Sequence, residues 1–202
     1  MTPAATGPAV LVACSVFRAE LTALARTRWP GLELRFENSM LHMRPAKLER
    51  RLGAVLAEEG GQARPVGLVY GDCCAGMTAL GGRPGVARTE GLNCPELLLG
   101  REAYRRLSHE GAFFMLPEWA TRWAEVFRDE LGLDGACAPA LMRDMHRKLV
   151  YLDTGVVPVP REALEACARY TGLPLEVLAV TLDRLAARIE AALGRLAGEG
   201  SR

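Results

Sequence analysis

Lysine is almost missing from this chain. Of 25 basic residues only Lys47 and Lys148 are lysine, and the rest are arginine. Together with the abundance of Ala, Gly and Leu this marks GC-rich coding bias, and the arginines carry little functional weight on that account. Net charge is equally scant: 25 basic against 24 acidic residues leave +1, too weak a field to draw nucleic acid or an anionic membrane. No run of about 20 apolar residues is present to span a bilayer. Leu11-Val12-Ala13-Cys14 imitates a lipoprotein cleavage site, yet residues 1–13 contain no Lys or Arg. The apolar run is also only about half a signal-peptide core. The expectation is a cytoplasmic protein without a membrane or nucleic-acid partner. Nucleotide and hydrolase signatures are absent as well. There is no G-x-G-x-x-G after the first strand, no G-x-x-x-x-G-K-[ST], no G-x-S-x-G elbow and no H-E-x-x-H.

What is present is an ordinary globular composition, 202 residues with 50% hydrophobic and 24% charged. That is enough apolar surface to offset chain entropy, and it predicts a single α/β domain over residues 1–202. A subdomain break is expected near residues 132–137, where Gly and Ala gather. Strand and helix signals alternate along the chain. Short Val- and Leu-rich or alternating runs predict strands at Pro8–Ala13, Leu32–Phe36, Pro65–Tyr70, Gly85–Thr89, Ala112–Leu116, Leu149–Asp153 and Leu175–Val180. Apolar residues at helical spacing predict helices at Phe17–Trp29, Ala46–Glu59, Pro95–Leu107, from Pro117 through Trp119, Trp123, Phe127 and Leu131, and at Ala138–Arg147, Pro160–Tyr170 and beyond Thr181. Such alternation implies a mostly parallel sheet with helices on both faces, a Rossmann-like fold.

In open α/β sheets ligands bind beyond the carboxyl ends of the strands. Cys14 ends the first expected strand, Cys73 follows the third, and Cys94 follows the fourth. Three of the six cysteines are therefore expected on one rim, each from a different strand. Cys167 lies within a helix and reads as a small buried hydrophobe; Cys137 falls in an expected loop. Pro95 is expected to place Cys94 at a helix N-cap, where backbone N–H groups and the helix dipole lower a thiol pKa. Cysteine is also among the most buried residue types, so a strand-end cysteine can be plain core. No C-x-x-C spacing occurs, which excludes a zinc ribbon or a bacterial ferredoxin run. Three thiolates from separate loops still suit a thiophilic metal ion or an iron–sulfur cluster. His42, Asp72, Asn93, Glu96 and Glu118 follow expected strands and are candidate fourth ligands or pocket residues, although such residues often only cap helices. His109 and His146 read as solvent-exposed.

The runs Val69-Tyr70-Gly71-Asp72-Cys73, Asn93-Cys94-Pro95-Glu96-Leu97-Leu98-Leu99-Gly100 with Tyr104, and Gly111-Ala112-Phe113-Phe114 leading to Pro117-Glu118-Trp119 resemble the bacterial and archaeal domain-of-unknown-function family 1638, over roughly residues 9 to 180. The family has glycine after each of its first two cysteines, where this chain has Ser15 and Cys74. The resemblance implies a shared site at Cys14, Cys73 and Cys94. Through the family's frequent gene neighbours it also implies a role beside corrinoid proteins and methyltransferases in anaerobic one-carbon metabolism. Three expectations follow: a metal- or iron–sulfur-binding protein; a metal-free thiol enzyme with Cys73 or Cys94 as nucleophile and His42 as base; or a non-catalytic protein that binds a corrinoid or methyltransferase partner.

Overall fold

The computed structural model describes residues 8–133 and 138–199. The chain forms two compact units, one built from residues 8–97 with 182–199 and the other from Leu98–Thr181. The boundary expected near residues 132–137 runs into residues 134–137, which lie outside those described, as does Cys137. Both units are α/β with parallel sheets only.

The first unit holds β1 (Val10–Cys14), β2 (Glu33–Glu37), β3 (Val66–Val69) and β4 (Val86–Arg88) in the order β2-β1-β3-β4. β1 is central, and every one of its residues is buried, as its unbroken apolar run requires. Register decides which side chains share a face. Val12 pairs with Arg35 and Leu68, and Leu11 pairs with Leu34 and Gly67. The Leu11 face is covered by α9 (Asp183–Glu199), with Leu193 reaching the space above Gly67. α1 (Arg18–Arg28) flanks the same face at the edge, where the Arg18 guanidinium lies 4.3 Å from the Phe36 ring centre. The Val12 face is covered by α2 (Pro45–Gly61). There the alternation of β2 has a different meaning from the usual one. Arg35 and Glu37 do not face water: Arg35 pairs with Glu58 and Glu59, and Arg51 of α2 grips Glu37. The polar side of this edge strand anchors a helix.

α3 (Met77–Gly81) follows β3, and α4 (Cys94–Leu99) follows β4. The single helix expected over Pro95–Leu107 is divided. Gly100 stands at φ 77°, ψ 162° and separates α4 from α5 (Arg101–His109). That region is open to glycine almost alone, so the break is written in Gly100.

The second unit orders its strands β5 (Ala112–Met115), β6 (Lys148–Asp153) and β7 (Leu175–Ala179), with β6 central. α6 (Pro117–Thr121) precedes a π-helical turn at Glu125–Glu130, so the Trp119-Trp123-Phe127-Leu131 series is not one α-helix. Only Phe127 of the four is in the core, packed on Phe113 and Trp123. α7 (Ala138–Met145) and α8 (Arg161–Thr171) complete the unit. Cys167 of α8 is wholly buried, its thiol 3.8 Å from the Met115 sulfur and pushed up to about 12 by burial, as expected of a core residue. His146 departs from its expectation. It stands edge-on against Phe113 and is half-buried, and burial lowers its pKa. Among the described residues no helix is long and apolar enough to cross a membrane.

Gly100→Ala places a side chain in that glycine-only conformation and should destabilise the protein by about 1–3 kcal/mol, read as a lowered urea midpoint with an unchanged slope.

Candidate functional site

The register of β1 builds the first row of the site. Cys14 ends β1 and pairs with Glu37 on β2. On the other side the last ladder pair is Ala13 with Val69, so Tyr70 follows β3 alongside Cys14. Glu37, Cys14 and Tyr70 thus lie side by side at the carboxyl edge, each buried. They share the face on which α2 packs, because paired residues of parallel strands point the same way.

The loops after β3 and β4 bring the other two cysteines to this edge. Beyond Tyr70 the chain turns at Gly71, whose N–H neighbour Asp72 donates a hydrogen bond to the Leu92 carbonyl at 2.9 Å. A Cβ on Gly71 would lie 2.5 Å from the Asn93 Cα and 2.6 Å from its nitrogen. No side chain can stand there, so glycine is what lets the two loops touch. Cys73 N donates to the Gly71 carbonyl at 2.9 Å, closing a tight turn that presents the half-buried Cys73. On the opposite loop Asn93, not Cys94, caps α4. Its Oδ1 accepts from the Glu96 N–H at 3.0 Å, and Glu96 Oε2 accepts from Leu92 N–H at 3.3 Å. This reciprocal pairing is a form of capping box. Cys94 becomes the first residue of the helix.

The three cysteines influence one another: Cys94 interacts first with Cys14, and both lie within electrostatic reach of Cys73. The expectation of ready thiolates at Cys73 and Cys94 is overturned by this crowding. For Cys94 the Cys14 hydrogen bond is the largest influence, followed by burial and by the charges of Cys14 and Cys73, and together they hold the thiol well above its ordinary pKa. Cys73 is pushed up to about 11, by burial first and then by Cys14 and Cys74. Backbone N–H groups act in the opposite sense at both residues and lose. Among the described residues no three His, Cys, Asp or Glu side chains are arranged to hold a metal ion. The donor chemistry itself, three sulfurs from a strand end, a loop and a helix start, fits a thiophilic ion or cluster.

The remaining candidates are committed elsewhere. Asp72 is exposed and paired with Arg88 at 2.7 Å. Asn93 and Glu96 cap α4. His42 lies in a 3₁₀ turn, Ser39–Met43, and donates from Nδ1 to the Ser39 carbonyl at 2.6 Å. Glu118 belongs to the second unit and pairs with Arg122 at 2.8 Å. Two residues at the edge were not anticipated. Glu37 ends an alternating strand and so resembles a solvent-facing acid; both its oxygens are bonded to Arg51, at 2.7 and 2.9 Å. Tyr70 resembles an ordinary strand residue. It is 2% exposed, and its hydroxyl has no hydrogen-bond partner among the described residues.

The chain matches a family model described as Protein of unknown function (DUF1638) over residues 36–189. Cys73 and Cys94 lie inside the matched stretch and Cys14 precedes it. No curated protein and no solved structure matches the chain.

Gly71→Ala drives a methyl group into the backbone at Asn93 and should destabilise the protein by about 1–3 kcal/mol. It should also part Cys73 from Cys94, seen as loss of any bifunctional thiol crosslink between them. In metal-free protein at pH 8, a thiol titrating near 11 is about two orders of magnitude less ionised than one at 8.5. Iodoacetamide should accordingly label Cys73 about 100-fold more slowly in the native than in the urea-unfolded chain. A pKa raised by folding carries stability that is present below the unfolded value and lost above it. The metal-free protein should therefore weaken as pH rises from about 8.5 towards 11, which denaturation across that window checks.

Proposed function

We propose that this chain, which belongs to the DUF1638 family of proteins of unknown function, holds a thiophilic metal ion or an iron–sulfur cluster through Cys14, Cys73 and Cys94. One observation carries the reading: three cysteines from three different strand ends lie at one edge of the sheet, within electrostatic reach of one another. A lone nucleophile needs one thiol, and core packing does not call for thiols to gather where strands end.

The surrounding groups support a soft ligand. The Glu37 carboxylate is neutralised by Arg51 and that of Asp72 by Arg88, while Glu96 is engaged at the α4 cap. Oxygen donors are thereby spoken for, and sulfur is what the edge offers. A bound ion or cluster would supply a positive, Lewis-acidic centre for a small substrate or a partner's cofactor. The chain's part is to deliver three thiolates. The Gly71–Asn93 contact fixes the spacing of the two loops. Binding displaces the thiol protons, so loading is favoured by rising pH. On the family resemblance the partner is a corrinoid protein or a corrinoid-dependent methyltransferase, and the setting is one-carbon metabolism.

The alternative of a metal-free nucleophile gains nothing from the site. The thiols of Cys73 and Cys94 are pushed above their ordinary pKa by burial and by neighbouring cysteines, which disfavours a free thiolate.

Purification without oxygen followed by metal analysis and an absorption spectrum tests the proposal. Cys73→Ser and Cys94→Ser should lose the metal and keep most of the metal-free stability. Cys167→Ala should keep the metal and cost about 1–2 kcal/mol through a small cavity. Equal metal loss from all three variants would mean general unfolding and would sink the assignment. In loaded protein Cys14, Cys73 and Cys94 should resist alkylation and become reactive together when a chelator is added; fast labelling of Cys94 alone, indifferent to chelator, would show a free nucleophile instead.

A further inference from the structure

The edge that carries the cysteines also carries a hydrogen-bond donor with nothing to bond. Tyr70 is 2% exposed, and its hydroxyl has no partner among the described residues. Leaving a buried hydroxyl unsatisfied costs about 1–3 kcal/mol. Phenylalanine would fill the same space without that penalty, so the oxygen calls for an explanation outside the packing.

Its surroundings supply one. Tyr70 stands beside Cys14 in the row set by the β1–β3 register. Among the groups within electrostatic reach of its hydroxyl are Cys14, Glu37, Cys94 and Cys73. Glu37 is taken by Arg51 through both oxygens. That leaves three sulfurs, which are poor acceptors as thiols and good ones as thiolates. A neutral phenol can donate one hydrogen bond. The acceptor it lacks is created when the thiols lose their protons.

We infer that Tyr70 is the positioning residue of the thiol site, donating its phenolic hydrogen bond to a thiolate sulfur, or to an acceptor atom resting on the bound centre, once the site is loaded. The inference rests on the reading of Cys14, Cys73 and Cys94 as ligands and adds what their environment does. Before loading, the unpaired hydroxyl weakens the fold; after loading, it bonds and holds the sulfurs in place. A donor to a ligand sulfur also stabilises negative charge on the centre, the usual way in which a protein tunes a thiolate-bound metal.

The test uses cobalt(II) alone, added without oxygen to the metal-free full chain and to Tyr70→Phe. Cobalt reports thiolate ligation by its sulfur-to-metal charge-transfer absorption. Wild type should show that absorption, and Tyr70→Phe should show it at similar intensity, with cobalt bound about 10-fold more weakly, the lower end of what loss of an outer hydrogen bond costs a metal site. In the metal-free state the order should reverse: Tyr70→Phe should unfold at an equal or higher urea concentration than wild type, since the removed hydroxyl had no partner. A residue that merely supports the fold would weaken both states alike. Equal cobalt affinity in the two proteins, with the charge-transfer band present in both, would overturn the role of Tyr70 and leave the cysteine site standing. No charge-transfer band in wild type would overturn the cysteine site and Tyr70's role with it.

A second measurement does not depend on the variant folding. Wild-type protein labelled with 3-fluorotyrosine carries four tyrosines. On zinc addition the fluorine resonance that persists through Tyr104→Phe, Tyr151→Phe and Tyr170→Phe should move, and a Tyr70 resonance unmoved at saturating zinc would likewise overturn the inference.

Discussion

The site depends on the register of one buried strand. β1 is flanked on both sides by parallel neighbours, and its pairing places Glu37, Cys14 and Tyr70 abreast at the carboxyl edge. A slip of one residue would turn Cys14 towards α9 and away from the other sulfurs. Leu11 opposes that slip, because it fills the space over Gly67 where a side chain would collide with it. The loops then need only fall in the right place, and the bare Gly71 backbone against Asn93 brings them there.

Much of this was legible in the sequence. Short apolar runs between helical segments gave a parallel α/β fold, and the strand-end rule put Cys14, Cys73 and Cys94 on one rim without any spacing motif. What escaped notice shares a physical cause. Gly100 ends a helix because of a backbone conformation that no periodicity reveals. Asn93 takes the cap that Pro95 suggested for Cys94, since Pro95 at the second helical position is equally suited to a helix start. Glu37 ends one strand and Tyr70 follows another, the patterns of both strands are ordinary, and the importance of the two residues comes from neighbours far away in sequence. The acid of β2 is turned inward because Arg51 of α2 meets it, and one-dimensional alternation cannot distinguish an outward acid from an inward one with a partner.

Electrostatics at the edge is divided into two kinds of group. The carboxylates are balanced by arginines, each within hydrogen-bonding distance: Glu37 with Arg51 and Asp72 with Arg88. The sulfurs have no such counter-charge in the interactions described here, and each raises the cost of ionising the next. Ion pairs of this kind contribute modestly to stability where they are exposed. Their larger consequence is chemical, because an oxygen already held by a guanidinium is a poor competitor for a metal.

Cys94 shows how the same arrangement can act in opposite directions. The start of α4 favours a thiolate there, as any helix N-terminus does. Two neighbouring thiols and burial oppose it, and in the metal-free protein they win. A bound cation would reverse the sign of the neighbours' influence, because each thiolate would then attract the shared charge more than it repels the next sulfur. The helix start and the cation would then act together on Cys94. An edge built to activate a single nucleophile would set its cysteine apart from other thiols and give it a base. Here the cysteines are grouped, the nearby acids are neutralised and a buried phenol is left without a partner, which is the arrangement expected where charge arrives from outside the chain.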